Sequence, residues 1–174
     1  FIRGSIQGLV KDIVLAAFLA VLVLYLFIGN FRNVATVALE IPLSMIIAFI
    51  VMYATGMNLN LISLGGLALA AGMNVDASVV VLENIFRHQE DWIRDNGIEM
   101  TAAQRFALIL KAVREVAAPI FLSIATTLIV FIPLAMTSDL TDAILGDLAK
   151  AVIYSHAVSG VVAVFIVPTI RLFL

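Results

Sequence analysis

An all-α membrane protein, a bundle of five transmembrane helices with an added cytoplasmic amphipathic helix, is the fold class predicted by three features of this 174-residue sequence. Its residues are 63% hydrophobic and only 13% charged, against roughly 25% charged in a soluble domain. Its mean hydropathy of +1.16 excludes a disordered polar chain. Its apolar residues are gathered into several runs that suit a bilayer core about 30 Å thick, which takes roughly 20 residues of helix to cross. With no Cys, thiolate metal sites, cysteine nucleophiles and disulfides are excluded. The net charge is −2 and the ten Lys and Arg residues lie scattered between apolar runs, which argues against nucleic acid as a partner. No catalytic set and no metal-ligating set stands out, so an enzyme is not expected.

The spans are expected in order. The first, 13–28, is uncharged, and the second, 34–55, is interrupted by Glu40 and Pro42, the latter a cause of a kink because it deprives the helix of one backbone bond. The third, 59–85, contains Asp76; the fourth and fifth are 116–136 and 151–170. Together they make 1–174 one transmembrane unit, and four runs after the first exclude a signal peptide. The opening at Phe1, without Met, predicts a piece of something longer.

Lys and Arg are retained preferentially on the cytoplasmic side. Arg87, Arg94, Arg105, Lys111 and Arg114 lie between the third and fourth runs, and Arg32 and Arg171 fall on the same side. Only Arg3, Lys11 and Lys150 lie across the membrane, which predicts a cytoplasmic 87–115 segment and C-terminus. Within that segment Asp95-Asn96-Gly97 is a turn signal, and Thr101 with Gln104 has the spacing of a capping box. Phe106, Ile109, Leu110 and Val113 recur at helical spacing beside Arg105, Lys111 and Arg114. This pattern predicts an amphipathic helix on the cytoplasmic leaflet and fits equally a helix leading into the next span.

Asp76 carries the most information. It sits near the middle of its apolar window, where insertion scales put an Asp at about 3 kcal/mol. An acid at that depth is suited to taking up and releasing a proton as its surroundings change, because desolvation and nearby charge act on it in opposite senses. At 100° per residue, Gly65, Gly72, Asp76 and Glu83 fall within about 40° of one another. Two small residues on that face predict close helix packing, with Asp76 against a partner helix and Glu83 near the cytoplasmic interface. No Lys or Arg lies at mid-depth in any run. His156 is the one base inside an apolar run, and Glu40 is a second intramembrane acid.

The stretch from Gly65-Gly66-Leu67-Ala68-Leu69-Ala70-Ala71-Gly72 through Met73-Asn74-Val75-Asp76-Ala77-Ser78 to Leu82-Glu83-Asn84 resembles the fourth transmembrane helix of resistance-nodulation-division (RND) efflux transporters. Phe1-Ile2-Arg3-Gly4-Ser5-Ile6-Gln7 resembles the entry to that family's second helix, Tyr25-Leu26-Phe27-Ile28-Gly29-Asn30-Phe31-Arg32 its exit, and Val167-Pro168-Thr169 the end of its sixth. The likeness covers essentially the whole chain in order.

The resemblance implies helices two to six of the first transmembrane half of a multi-pass proton antiporter in the bacterial inner membrane. It implies a machine powered by the proton motive force without a bound cofactor. Asp76 matches the family's proton carrier, with Glu83, Glu40 and His156 as possible accessories in the relay. Drug-exporting members usually carry two consecutive acids; Ala77 at the second position resembles the single-acid arrangement of metal-exporting branches. The implied partners are the lipid bilayer, the remaining half of the transporter with its periplasmic porter domains and basic intramembrane residue, two further copies in a homotrimer, a periplasmic adaptor and an outer-membrane channel. The alternative is a non-transporting membrane module of related architecture, sterol-sensing or scaffolding, in which Asp76 only holds helices together.

Overall fold

The computed structural model describes residues 11, 14–15, 18–19, 21–22, 25–26, 31–97, 100–136 and 145–173. They form α1 (Phe31–Ala54), α2 (Leu61–Asn96), α3 (Ala102–Ala135) and α4 (Asp147–Val161), the last running on through a π-helical stretch, Val162–Ile166, into α5 (Val167–Phe173). Among the described residues four helices are long and apolar enough to cross a membrane: Val34–Ala54, Leu61–Asn96, Ala102–Ala135 and Asp147–Phe173. Of the sixteen residues of the span expected at 13–28, eight are described and are helical, and the rest lie outside the described residues.

Local chemistry sets the connections. α1 ends in a Schellman motif: Gly56 adopts a φ of 71°, its N–H donates to the Tyr53 carbonyl at 3.1 Å, and the Met57 N–H donates to Met52 at 3.0 Å. α2 then opens on Asn60, whose side-chain oxygen accepts from the N–H groups of Ile62 and Ser63 while Ser63 Oγ accepts from the Asn60 N–H at 2.9 Å. This reciprocal cap satisfies three donors at the helix start. The Asn60 amide also donates to Asp147 at 2.6 Å, tying the start of α2 to the start of α4. At the other end of α2, Gly97 takes a left-handed conformation and its N–H closes on Ile93 at 2.8 Å. Thr101 and Gln104 make the capping box their spacing predicts.

The separate amphipathic helix expected within 87–115 is replaced by extensions of two spanning helices. Nothing in the sequence breaks α2 before Asn96, and α3 begins at its Thr101 cap and continues without interruption into the apolar run. The apolar stripe of the extensions is covered by neighbouring helices: Ile85, Leu108, Ile109, Ala112 and Val113 are buried, whereas Phe106 and Leu110 remain exposed. Asn84 clamps the two extensions together by donating to the Ala112 carbonyl at 2.7 Å, and His88 Nε2 lies 3.2 Å from a Glu115 carboxylate oxygen.

α4 and its continuation form the centre of the bundle, touching α1, α2 and α3. The close approach expected at Gly65 and Gly72 falls instead on Gly66. A Cβ there would lie 2.6 Å from the Leu148 carbonyl oxygen, whereas at Gly65 and Gly72 nothing among the described residues comes within 4 Å. The reason is angular: Gly66 shares the buried face with Leu67, Ala70 and Ala71, and Gly72 is on the opposite side. Gly160 is the corresponding small residue of α4, seated against Ile124 of α3.

Candidate functional site

Helical periodicity divides α2 into two faces. Ala70, Asn74, Ser78, Val81 and Ile85 are buried against the other helices, while Leu69, Gly72, Asp76, Val80, Glu83 and Arg87 form an exposed stripe. Asp76 therefore looks out of the described bundle rather than into it. It borders an open cleft of about 250 Å³ between α2 and α3, shared with Ala77, Pro119, Ser123, Thr127 and, from α4, His156. Glu83 is exposed two helical turns further on and does not reach that cleft.

Behind Asp76, on the buried face, a polar cluster runs through the centre of the bundle. The Asn74 side-chain amide donates to Ser155 Oγ at 2.9 Å, and Asn74 Oδ1 lies 3.2 Å from His156 Nδ1. Ser159 Oγ donates to the Asn74 backbone carbonyl at 2.9 Å and also lies 3.4 Å from a carboxyl oxygen of Glu40. Glu40 is fully buried, with the hydroxyls of Ser44 and Ser78 beside its carboxyl group. Buried polar groups in an apolar bundle must find one another, because lipid offers no partner.

The structure thus brings together three of the sequence-expected residues. His156 touches both regions, lining the Asp76 cleft and bonding to Asn74, while Glu40 joins the cluster from α1. Gly65, Gly72 and Glu83 take no part in it. Sequence reasoning overlooked Asn74, Ser78, Ser155, Ser159 and Ser44. The available signal was a repeated spacing: Glu40 and Ser44, Asn74 and Ser78, and Ser155 and Ser159 are each four residues apart, so each of three apolar helices carries a polar pair on one face.

The opposite end of the bundle collects most of the Lys and Arg residues, interspersed with the acids Glu90, Asp91, Asp95 and Glu115. Arg171 of α5 donates to Gln89 Oε1 at 3.1 Å, and Arg105 of α3 donates to the Arg171 carbonyl at 2.9 Å. Asn60 and Asp147 mark the other end. The Lys and Arg residues of the α2 and α3 extensions and Arg171 are therefore on one side of the bundle.

Comparison with known proteins gives the same picture from three directions. The sequence profile of the AcrB/AcrD/AcrF family matches residues 1–173. The chain is 32% identical over 144 residues to the cation efflux system protein CusA of Escherichia coli K12, covering 82% of this chain and 14% of that protein. It is 33% identical over 167 residues to the multidrug resistance protein MdtC of Yersinia enterocolitica, covering 96% of this chain and 15% of that protein. The crystal structure of a heavy metal efflux pump superposes with a TM-score of 0.78 at 30% identity, covering 96% of this chain and 15% of the other. The chain thus spans about one seventh of the length of these relatives, of which CusA and the heavy metal pump are named for efflux and MdtC for multidrug resistance. On the match that runs through all its described helices, the chain belongs to the AcrB/AcrD/AcrF family of RND efflux transporters.

Proposed function

We propose that this chain is the proton-coupling transmembrane part of an RND antiporter of the bacterial inner membrane, which exports substrates from the cell envelope at the expense of the proton motive force. The single observation that carries the reading is the position of Asp76. A carboxylate on a spanning helix is costly wherever lipid surrounds it, and Asp76 lies on an exposed stripe bordering an open cleft. Such a stripe is accounted for if the remaining half of the transporter covers it and supplies a Lys or Arg, which the described residues lining the cleft lack. Proton binding at Asp76 would then release that cation, and proton loss would recapture it.

In this reading His156, which lines the Asp76 cleft from α4, and Glu83, two turns along the exposed stripe, are accessories. The end of the bundle that carries Arg94, Arg105 and Lys111 faces the cytoplasm. Large periplasmic porter domains, two further copies, an adaptor and an outer-membrane channel complete the machine, and the choice of substrate resides in those parts. Ala77, beside Asp76 in the cleft, supports the single-acid arrangement that resembles metal-exporting branches.

The test is Asp76→Asn in the full transporter. Asn keeps the shape and loses the titration, so the variant should insert and assemble at normal levels and lose proton-driven export. Export that persists with its dependence on the proton gradient intact would refute the role.

A further inference from the structure

Glu40 stands outside the Asp76 cleft, on a different helix and on the buried side of α2. It is 0% exposed, and among the described residues no ion pair involves it. Its neighbours are the Ser44, Ser78 and Ser159 hydroxyls. Each neighbouring element presents a short account of its charges. On α1 Glu40 is itself the one charged residue of the Val34–Ala54 span, and α2 faces it with Asn74 and Ser78, its acids Asp76 and Glu83 being on the exposed stripe. α4 faces it with Ser159, and His156, the titratable group nearest along that helix, is engaged with Asn74. Arg171 on α5 is bound to Gln89 at the end of the bundle formed by the α2 and α3 extensions.

The hydrogen positions around Glu40 are constrained by counting. A hydroxyl has one proton to give and can also accept. Ser159 gives its proton to the Asn74 carbonyl at the shorter distance, 2.9 Å, and Ser44 gives its own to the Ile41 carbonyl at 3.0 Å. Both oxygens are then left as acceptors toward Glu40. The second Glu40 oxygen, Oε2, and Ser78 Oγ are both buried without a hydrogen-bond partner among the described residues. A proton on the carboxyl group satisfies this arrangement, because it gives Glu40 something to donate to a surrounding hydroxyl. Once that proton leaves, Ser78 and Ser159 can turn their hydrogens toward the carboxylate. Surroundings made of hydroxyls can therefore serve either state, which a fixed cation or a fixed amide donor cannot.

From this geometry we infer that Glu40 is a second proton-binding site of the transmembrane bundle, built by the Ser44, Ser78 and Ser159 hydroxyls and joined to the Asp76 cleft through Ser159, Asn74 and His156. It goes beyond the role of Asp76, although it shares the reading of the chain as proton-coupled. Binding forms one O–H bond on the carboxyl group and release breaks it, with the proton drawn from and returned to water reaching the bundle. No other group changes its covalent state.

Infrared pH-difference spectra of the full transporter in lipid vesicles test this directly, because they read the carboxyl stretch rather than export. The expected result is a titrating carboxyl band that vanishes in Glu40→Gln and persists in Asp76→Asn. Glu40→Gln spectra with every wild-type band would overturn the site, even if Asp76→Asn had already supported the coupling role of Asp76. A band that responds to sodium chloride at constant pH, and not to choline chloride, would also overturn it in favour of a cation site made of the same oxygens. Should Glu40→Gln fail to assemble, Ser78→Ala and Ser159→Ala provide the second measurement. Each removes one hydrogen-bond partner and should shift the frequency of that band, and a band unmoved in both would reject Glu40 as its source.

Discussion

His156 Nδ1 lies 3.2 Å from Asn74 Oδ1, and this contact fixes how the imidazole meets the Asp76 cleft. The Asn74 amide nitrogen is committed to Ser155 Oγ at 2.9 Å, so Asn74 offers His156 its oxygen. His156 then carries a hydrogen on Nδ1, and Nε2 is left as the acceptor of the neutral ring. A residue on the buried face of α2 thereby sets the tautomer of a residue lining a cleft on its exposed side.

Asn74→Ala removes the partner of both Ser155 and His156 and frees the imidazole to turn. Interhelical hydrogen bonds in membranes are worth about 0.6 to 2 kcal/mol, so a stability loss of about 1 to 2 kcal/mol is expected. Denaturation by SDS, with the purified transporter in mixed micelles, measures it. Export should fall as well, and Asn74→Ala with unaltered stability would show that the cluster contributes no net energy.

Asn60 has two tasks, capping α2 and holding Asp147 at 2.6 Å. Losing an Asn cap typically costs about 1 kcal/mol. Asn60→Ala should exceed that cost because it also releases α4, whereas Asp147→Asn, which keeps an oxygen for Asn60, should cost less. The same denaturation series compares the two, and an Asn60→Ala loss no larger than the cap alone, about 1 kcal/mol, would indicate that the tie to α4 carries no weight.

The two ends of the bundle should be reachable from opposite sides of the membrane. Single cysteines at Asn58, in the exposed turn between α1 and α2, and at Asn96, at the end of α2, can be introduced into a segment that has none of its own. An impermeant maleimide added to intact cells whose outer membrane has been opened should label the Asn58 position alone. Inverted vesicles should reverse the result, and labelling of both positions from one side would break the antiparallel arrangement.

Much of this fold is legible from hydropathy, because in lipid a run of apolar residues has no alternative to a helix that satisfies its own backbone. The ends of α2 and α3 are harder to read. Their polar extensions carry an amphipathic pattern that suits a leaflet surface and a neighbouring helix equally, and only the buried positions of Ile109 and Val113 decide between them. Asp76 is legible because a charge in an apolar run is conspicuous. The Asn74 and Ser159 cluster is not, since hydroxyls and amides disturb hydropathy little and acquire meaning only when three helices bring their polar pairs together. The glycines are a similar case: periodicity groups Gly65 with Gly72 and does not say which helix meets that face.

That last point supports a sharper prediction. At Gly66 an added Cβ meets the Leu148 backbone oxygen at 2.6 Å, and backbone cannot yield as a flexible side chain does. Gly66→Ala should therefore push α2 from α4 and cost about 1 to 3 kcal/mol, the range for overpacking a tight contact. Gly72 meets nothing within 4 Å among the described residues, so packing within the described bundle places no limit on its size. Gly72→Leu should leave the stability of these helices unchanged. In the full transporter, however, Gly72 lies one turn from Asp76 on the stripe assigned to the missing half, and a bulky side chain there should hold that half away and reduce export severely. Normal export by Gly72→Leu, with Gly66→Ala behaving as expected, would mean that the stripe faces lipid and that the partner of Asp76 must be sought within this chain.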